Sequence, residues 1–114
     1  MVDVVHRVKR LHVIHRIKEF QKELKVGDVF WHMTSDYGVP CEIVGPCTII
    51  LLRRSFVRYM RLEADAEVIE EESIGDLVNQ HHGVFLNSMD AYEYFEARRA
   101  EARAEEKIGV RWLD

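Results

Sequence analysis

The chain has 114 residues, a length that suits one domain. It is 47% hydrophobic and 10% aromatic, which argues against wholesale disorder, and its net charge of −4 argues against a general nucleic-acid binder. The charge is uneven: residues 1–25 hold seven Lys/Arg and three Asp/Glu, whereas the remainder holds nine and seventeen.

Residues 4–24 read as an amphipathic helix. Val4, Val8 and Leu11 fit one apolar stripe; Val13, Ile17, Phe20 and Leu24 fit another, about half a turn away. Either the helix breaks near His12 or its halves pack on different things. The expectation is that the second stripe docks on the chain's own body, while residues 4–11 meet a second subunit or a target. His6, Arg7, Lys9, Arg10, Arg16, Lys18 and Lys22 make the polar side basic. That side is either a solvated face or a surface for an anionic partner, with Arg7, Arg10 and Arg16 as nucleic-acid contacts; no aromatic residue is interleaved to stack bases.

Lys25 to Asp28 reads as a turn, and Val29 to Met33 as an aromatic, β-branched strand. Thr34 to Pro40 is expected to form a seven-residue loop, with Gly38 and Pro40 as punctuation. Cys41 to Val44 resumes extended structure and Gly45-Pro46 breaks it. Thr48 to Leu52, continuous and apolar, suits a strand buried on both faces. Arg53 to Ser55 turns, and Phe56 to Glu63 returns as a strand. The acidic stretch 64–73 is one more strand centred on Val68 and Ile69, or a frayed turn. Ile74 to Gln80 is a short helix or 3₁₀ turn. Val84 to Leu86 is a last strand.

Asn87 and Ser88 are N-cap types placed before a periodic run. Met89, Tyr92 and Phe95, with Ala91, mark its inward face. Further along, Tyr94, Ala97, Ala100, Ala104 and Ile108 form a seam of mostly small residues, for which residues 13–24 are the natural partner. Glu96–Arg99 and Arg98–Glu101 are spaced as ion pairs. Residues 108–114 alternate weakly, and Trp112 is expected to dock on the core.

The segment Val26 to Trp31 resembles the opening strand of small SH3-like barrel proteins. Asp76-Leu77, followed by Gly83 to Glu93, resembles their ending, in which a Val-Phe-Leu strand is capped and followed by an acidic helix. Such proteins are frequent in phages, prophages and Gram-positive bacteria, and most have no assigned function. The resemblance spans residues 26–95 and implies architecture more than activity. The basic N-terminal segment and the Ala-rich end of the last helix depart from the short form.

Chemistry is sparse. Zinc needs four Cys/His ligands, commonly with a Cys pair two to four apart. Cys41 and Cys47 are spaced too widely, with only His32, His81 and His82 in support, so buried, inert cysteines are expected. They make no disulfide framework, and a reducing, cytoplasmic setting follows. His12 and His15 would sit one helical turn apart on the basic face. Ser35, Ser55, Ser73 and Ser88 lie in no nucleophile motif, and no glycine-rich phosphate loop exists. No run of about 18 apolar residues offers a membrane span, and no secretory leader is visible.

Two features point to binding. One is the 34–40 loop with Trp31: in SH3-like barrels the first long loop often lines a partner groove, which makes Trp31, Asp36 and Tyr37 contact candidates. The other is the acidic stretch, with Glu67, Glu70, Glu71 and Glu72 as its candidates. It either imitates a phosphate backbone in the basic cleft of another protein or keeps a sheet edge from pairing with copies of itself.

The expectation is an α+β protein: a small SH3-like, partly open β-barrel (26–87) flanked by an N-terminal helix (1–25) and a C-terminal helix (88–107), with a docked tail (108–114). The expected function is a non-enzymatic protein-interaction module, phage- or mobile-element-encoded, without cofactor or metal. Its narrower form is an anti-CRISPR-like inhibitor of a host nucleic-acid-handling protein. The alternative is a nucleic-acid-binding accessory protein that uses the basic N-terminal segment.

Overall fold

The computed structural model describes residues 11–79 and 82–113, with side chains described through residue 105. The chain is α+β: among the described residues, a six-stranded antiparallel sheet that is not closed, with three helices. In chain order these are β1 (Val13–Ile14), α1 (Ile17–Glu23), β2 (Val29–Asp36), β3 (Val39–Leu52), β4 (Phe56–Glu63), β5 (Ala66–Ser73), α2 (Ile74–Asn79), β6 (Val84–Phe85) and α3 (Ser88–Leu113). Across the sheet the order is β1-β6-β2-β3-β4-β5.

Side chains of a strand alternate between its faces, and here the alternation separates two cores. Ile14, Phe30, Cys47, Ile49, Val57, Tyr59 and Val84 point to the inner face, where Phe20 and Leu24 from the α1 end and Ile74, Leu77 and Val78 of α2 cover them. Their sequence neighbours Val13, Trp31, Met33, Ile43 and Phe85 point to the opposite face and pack against Ala91, Tyr94 and Phe95 of α3.

The strand β3 runs through three register shifts. An extra residue at Cys41, one at Gly45-Pro46 and one at Ile50 each oppose a single step of the neighbouring strand. Such β-bulges bend a strand and reset which face its side chains occupy. Opposite His32 sits Val44; without the extra residue Val44 would turn outward and Ile43 inward. Gly45 therefore does not break the strand. It is required there: a Cβ would lie 2.4 Å from Trp31 Cδ1, closer than real contacts allow. Thr48–Leu52 is not buried on both faces either. Ile49 is buried, but Ile50 is exposed, since α3 does not reach that end of the sheet.

Several further expectations are corrected. Thr34 to Pro40 is not a long loop. The strand continues to Asp36, and Tyr37-Gly38 alone turns, both residues with positive φ (51° and 80°). Two such residues suit a tight type I′ hairpin, whose twist matches the strands it joins. Of the two alternatives for the N-terminal segment, the break near His12 is the one seen: Val13 and Ile14 are extended and pair with Phe85 and Val84. Pairing satisfies backbone groups that a helix would have satisfied internally, and it places Ile14 in the core. Residues 1–10, with Arg7, Arg10 and the proposed subunit contact at 4–11, lie outside the described residues. Of the second stripe, Phe20 and Leu24 are buried as expected, while Ile17 is exposed. Residues 108–113 continue α3 instead of forming a tail; the Trp112 side chain is outside the described set.

The helix α3 starts where its cap lies. Asn87 Oδ1 accepts the Asp90 amide (2.9 Å), and Asn87 Nδ2 donates to Asp90 Oδ2 (3.1 Å), a reciprocal cap that satisfies an orphan amide. Its inward face is not Met89 and Tyr92, which are 72% and 60% exposed. Ala91 and Ala97 are buried instead. The sheet side is already filled by Trp31, Met33, Ile43 and Phe85, so the helix approaches on its small residues. The Tyr94 and Ala97 part of its seam meets the sheet, with only Val13 of the expected 13–24 segment in the same cluster, and Ala100 and Ala104 face solvent.

Phe85→Ala should cost about 3–5 kcal/mol, as large-to-small core changes do, while Tyr92→Ala should stay within about 0.5 kcal/mol. Urea unfolding of both variants checks the orientation of α3; a larger loss at Tyr92 would reverse it.

Candidate interaction surface

His32 is 4% exposed, and its Nε2 lies 3.3 Å from the Tyr59 hydroxyl. Tyr59 and Cys47 are buried beside Glu72, Arg61 and Glu70. Burial pushes the Cys47 thiol from 9.0 up to about 12, with Arg61 opposing the shift and Glu72 and Glu70 adding to it. Burial first, then the negative charge of Glu72, also raises the Tyr59 phenol above its ordinary range. A thiol held protonated is a poor nucleophile, so this arrangement serves packing and hydrogen bonding.

The residues considered for a metal are kept apart. Cys47 is inside with His32, whereas Cys41 is exposed on β3. His82 lies on the α3 face, its Nδ1 3.0 Å from Tyr94 Oη and its Nε2 3.1 Å from Ser35 Oγ. Both cysteines were expected to be buried; the bulge that puts Pro40 opposite Ser35 leaves Cys41 out in solvent. His12 and His15 flank an extended segment, not one helical turn, and both are exposed. His81 is outside the described residues. Among the described residues, no cluster of His, Cys, Asp and Glu is placed to hold a metal ion.

The first binding candidate divides in two. Tyr37 is fully exposed at the β2–β3 hairpin tip. Asp36 and Tyr37 line an open groove of about 300 Å³ against α3, together with Val39, Cys41, Arg99 and Arg103. Trp31 is not part of it. Six residues along an extended strand is roughly 20 Å, and its ring packs on Gly45 in the α3-side core. The α3 arginines were not anticipated as neighbours of Tyr37. Arg99 donates to the Pro40 carbonyl (3.0 Å) and lies 5.4 Å above the Phe95 ring; nothing local in the sequence signals that long-range contact.

The second candidate, the acidic stretch, is the strand β5. It pairs with β4 from Phe56↔Ser73 to Glu63↔Ala66 without a register shift. Alternation splits its carboxylates. Glu70 and Glu72 share the inner side with Val68, while Glu67, Ile69 and Glu71 share the outer side. The arginines of β4 lie across from them. Arg58 Nε and Nη2 donate to Glu71 Oε2 at 3.0 and 2.9 Å, and Arg61 Nη2 donates to Glu70 Oε1 at 2.5 Å and to Glu63 Oε2 at 3.3 Å. Residues 56–73 hold two arginines and six carboxylates, a balance of −4, which equals the charge of the whole chain. Everything else is neutral in sum.

The outer side of this hairpin carries an apolar patch between its charged residues. Met60 and Ile69 face each other across the ladder, and Leu62 lies beside them. Leu62 is 68% and Ile69 62% exposed. Among the described residues no helix covers them, because α3 packs on β2, β6 and the first part of β3. Of the alternative nucleic-acid contacts, Arg16 is exposed just before α1.

The buried thiol has two measurable consequences. Cys41 should react with a thiol reagent at pH 8 while Cys47 reacts only after unfolding, as counted by mass spectrometry; modification of both in the folded protein would contradict the burial. Because the folded thiol titrates about 12 and the unfolded one at 9.0, stability should be level below pH 9 and fall as pH rises towards 12. Cys47→Ala should flatten that fall in pH-dependent urea unfolding. Set against known protein families, curated proteins and solved structures, the chain matches none.

Proposed function

We propose that this chain is a protein-binding module, without catalytic chemistry of its own, that engages its partner through the β4–β5 hairpin. The observation that carries this reading is the coincidence of an uncovered apolar face with the chain's entire net charge on one hairpin. Single exposed apolar residues are ordinary, but a contiguous pair ringed by charge marks interaction sites. The interior polar groups are buried in packing, which leaves the exterior to carry function.

The partner that fits is a protein with a basic surface, drawn to the hairpin by its field and held by the apolar patch. Inhibition of a nucleic-acid-handling protein, phage- or mobile-element-encoded and anti-CRISPR-like, is the narrower form of this reading. The SH3-like resemblance supports the same class, since β3 is bent by bulges and shared between two strand pairs. Phosphate imitation is the less supported version of the contact. Arg58 and Arg61 neutralise part of the acidic row, and Glu70 and Glu72 turn away from Glu67 and Glu71.

The test is affinity capture with Leu62→Lys/Ile69→Lys beside the unchanged chain. Capture should drop about tenfold or more, since core interface residues carry most binding energy, while the thermal midpoint stays unchanged. Equal capture by both proteins would refute the hairpin as the contact. Steeply salt-dependent DNA binding that is lost in Arg16→Ala would instead favour the basic N-terminal segment.

A further inference from the structure

The strand β5 is the last of the sheet, and among the described residues no strand lies beyond it. In an antiparallel ladder every other residue turns its N–H and C=O towards the neighbour, and the rest turn theirs away. Half of the eight residues of β5 therefore present unused backbone groups at the free edge. Natural edges are blunted by shortness, proline, lysine or a bulge. This edge has none of these: it is eight residues long, pairs with β4 in continuous register, and contains neither Pro nor Lys. It is, however, acidic.

The acidity selects an occupant. Two copies pairing edge to edge would bring their rows of Glu67, Glu70, Glu71 and Glu72 alongside one another, and like charges crowded across a ladder are destabilising. The neighbour that β5 already accepts shows what fits. In β4, Arg58 on the outer side and Arg61 on the inner side are set among Val57, Tyr59 and Met60, and each arginine meets a β5 carboxylate. Both Arg58 nitrogens take Glu71 Oε2, and Arg61 takes Glu70 Oε1. A strand on the other side would lie beside Glu67 and Glu71, both exposed on the outer side.

We propose that the free edge of β5 accepts an extended segment of a partner protein, alternating basic and apolar residues, as a seventh strand. This rests on the hairpin reading above and specifies its mode. Backbone hydrogen bonds supply affinity, and the alternate side chains supply selectivity. Basic residues of the segment meet Glu67 and Glu71 on the outer side, and its apolar residues turn to the inner side beside Val68.

The probe is a blocked octapeptide of alternating Arg and Val, titrated into the full chain and followed by amide hydrogen exchange. The expected result is exchange slowed about tenfold at alternate residues of β5, weaker protection in Glu67→Lys, and no protection with a Glu-Val peptide. Protection elsewhere, or none, overturns strand addition. So does concentration-dependent dimerisation of the chain alone with protection along β5, which would make a second copy the occupant. If capture depends on Leu62 and Ile69 while the captured complex leaves β5 amides exchanging freely, strand addition fails and the hairpin reading survives. If capture ignores Leu62 and Ile69 and no β5 protection is seen, both fail.

Discussion

One strand, β3, must serve two neighbours in turn. Val39 to Thr48 pairs with β2 and Thr48 to Leu52 with β4, so the two ladders overlap at a single residue. A regular strand could do this only by staying flat, and its strict alternation would then put the wrong side chains inside. The extra residues at Cys41, Gly45-Pro46 and Ile50 reset that alternation three times. They keep Val44, Cys47, Ile49 and Leu52 on the inner side and Ile43 on the side of α3. Register is strongly specified when both faces of a strand are buried. Here that specification depends on Gly45, since any Cβ would collide with the Trp31 ring.

The bend also determines what is left uncovered. The helix α3 lies along the first part of β3 and its neighbours β2 and β6, with Arg99 fastened to the Pro40 carbonyl. Beyond Thr48 the strand has turned away, and α3 does not follow. The helices α1 and α2 close the inner side of the β4 region, where Phe20 and Tyr59 both pack edge-on against Phe30. Among the described residues, nothing packs over the outer side of β4 and β5. There the ion pair Arg58–Glu71, its side chains nearly half exposed, contributes about 0–1 kcal/mol, too little to explain why six carboxylates gather on one hairpin. Protection of a long edge from self-pairing would account for them, and on the proposed reading the same charge favours a basic neighbour.

Local signals carried much of the architecture. The capped start at Asn87, the turn at Arg53 to Ser55, and the strands Phe56 to Glu63 and Val84-Phe85 follow from propensity and capping, which act within a few residues. What failed was decided at a distance. Val13 and Ile14 have a helical-looking neighbourhood, yet β6 offers them a ladder, and short helices are marginal without tertiary support. Met89 and Tyr92 have the right spacing for an inward face, yet the space beneath α3 was already taken by Trp31 and Phe85. Thr34 to Pro40 has loop composition, yet Tyr37-Gly38 turns so tightly that the rest pairs. The acidic stretch was legible as charge but not as two faces, because alternation has meaning only once the strand's partner is known.

A sheet edge normally presents a protein with a conflict: the backbone groups that make it adhesive to a partner also make it adhesive to itself. Hydrophobic selectivity cannot resolve this, since an apolar edge is complementary to its own copy. Charge of one sign can, because a like-charged copy is repelled while an oppositely charged strand is attracted by the same residues. The hairpin β4–β5 contains both halves of that solution in one piece. Its inner edge holds an arginine-bearing strand in register, and its outer edge presents the same carboxylates to solvent. The internal pairing therefore demonstrates, within the fold itself, the chemistry that an external strand would need to satisfy.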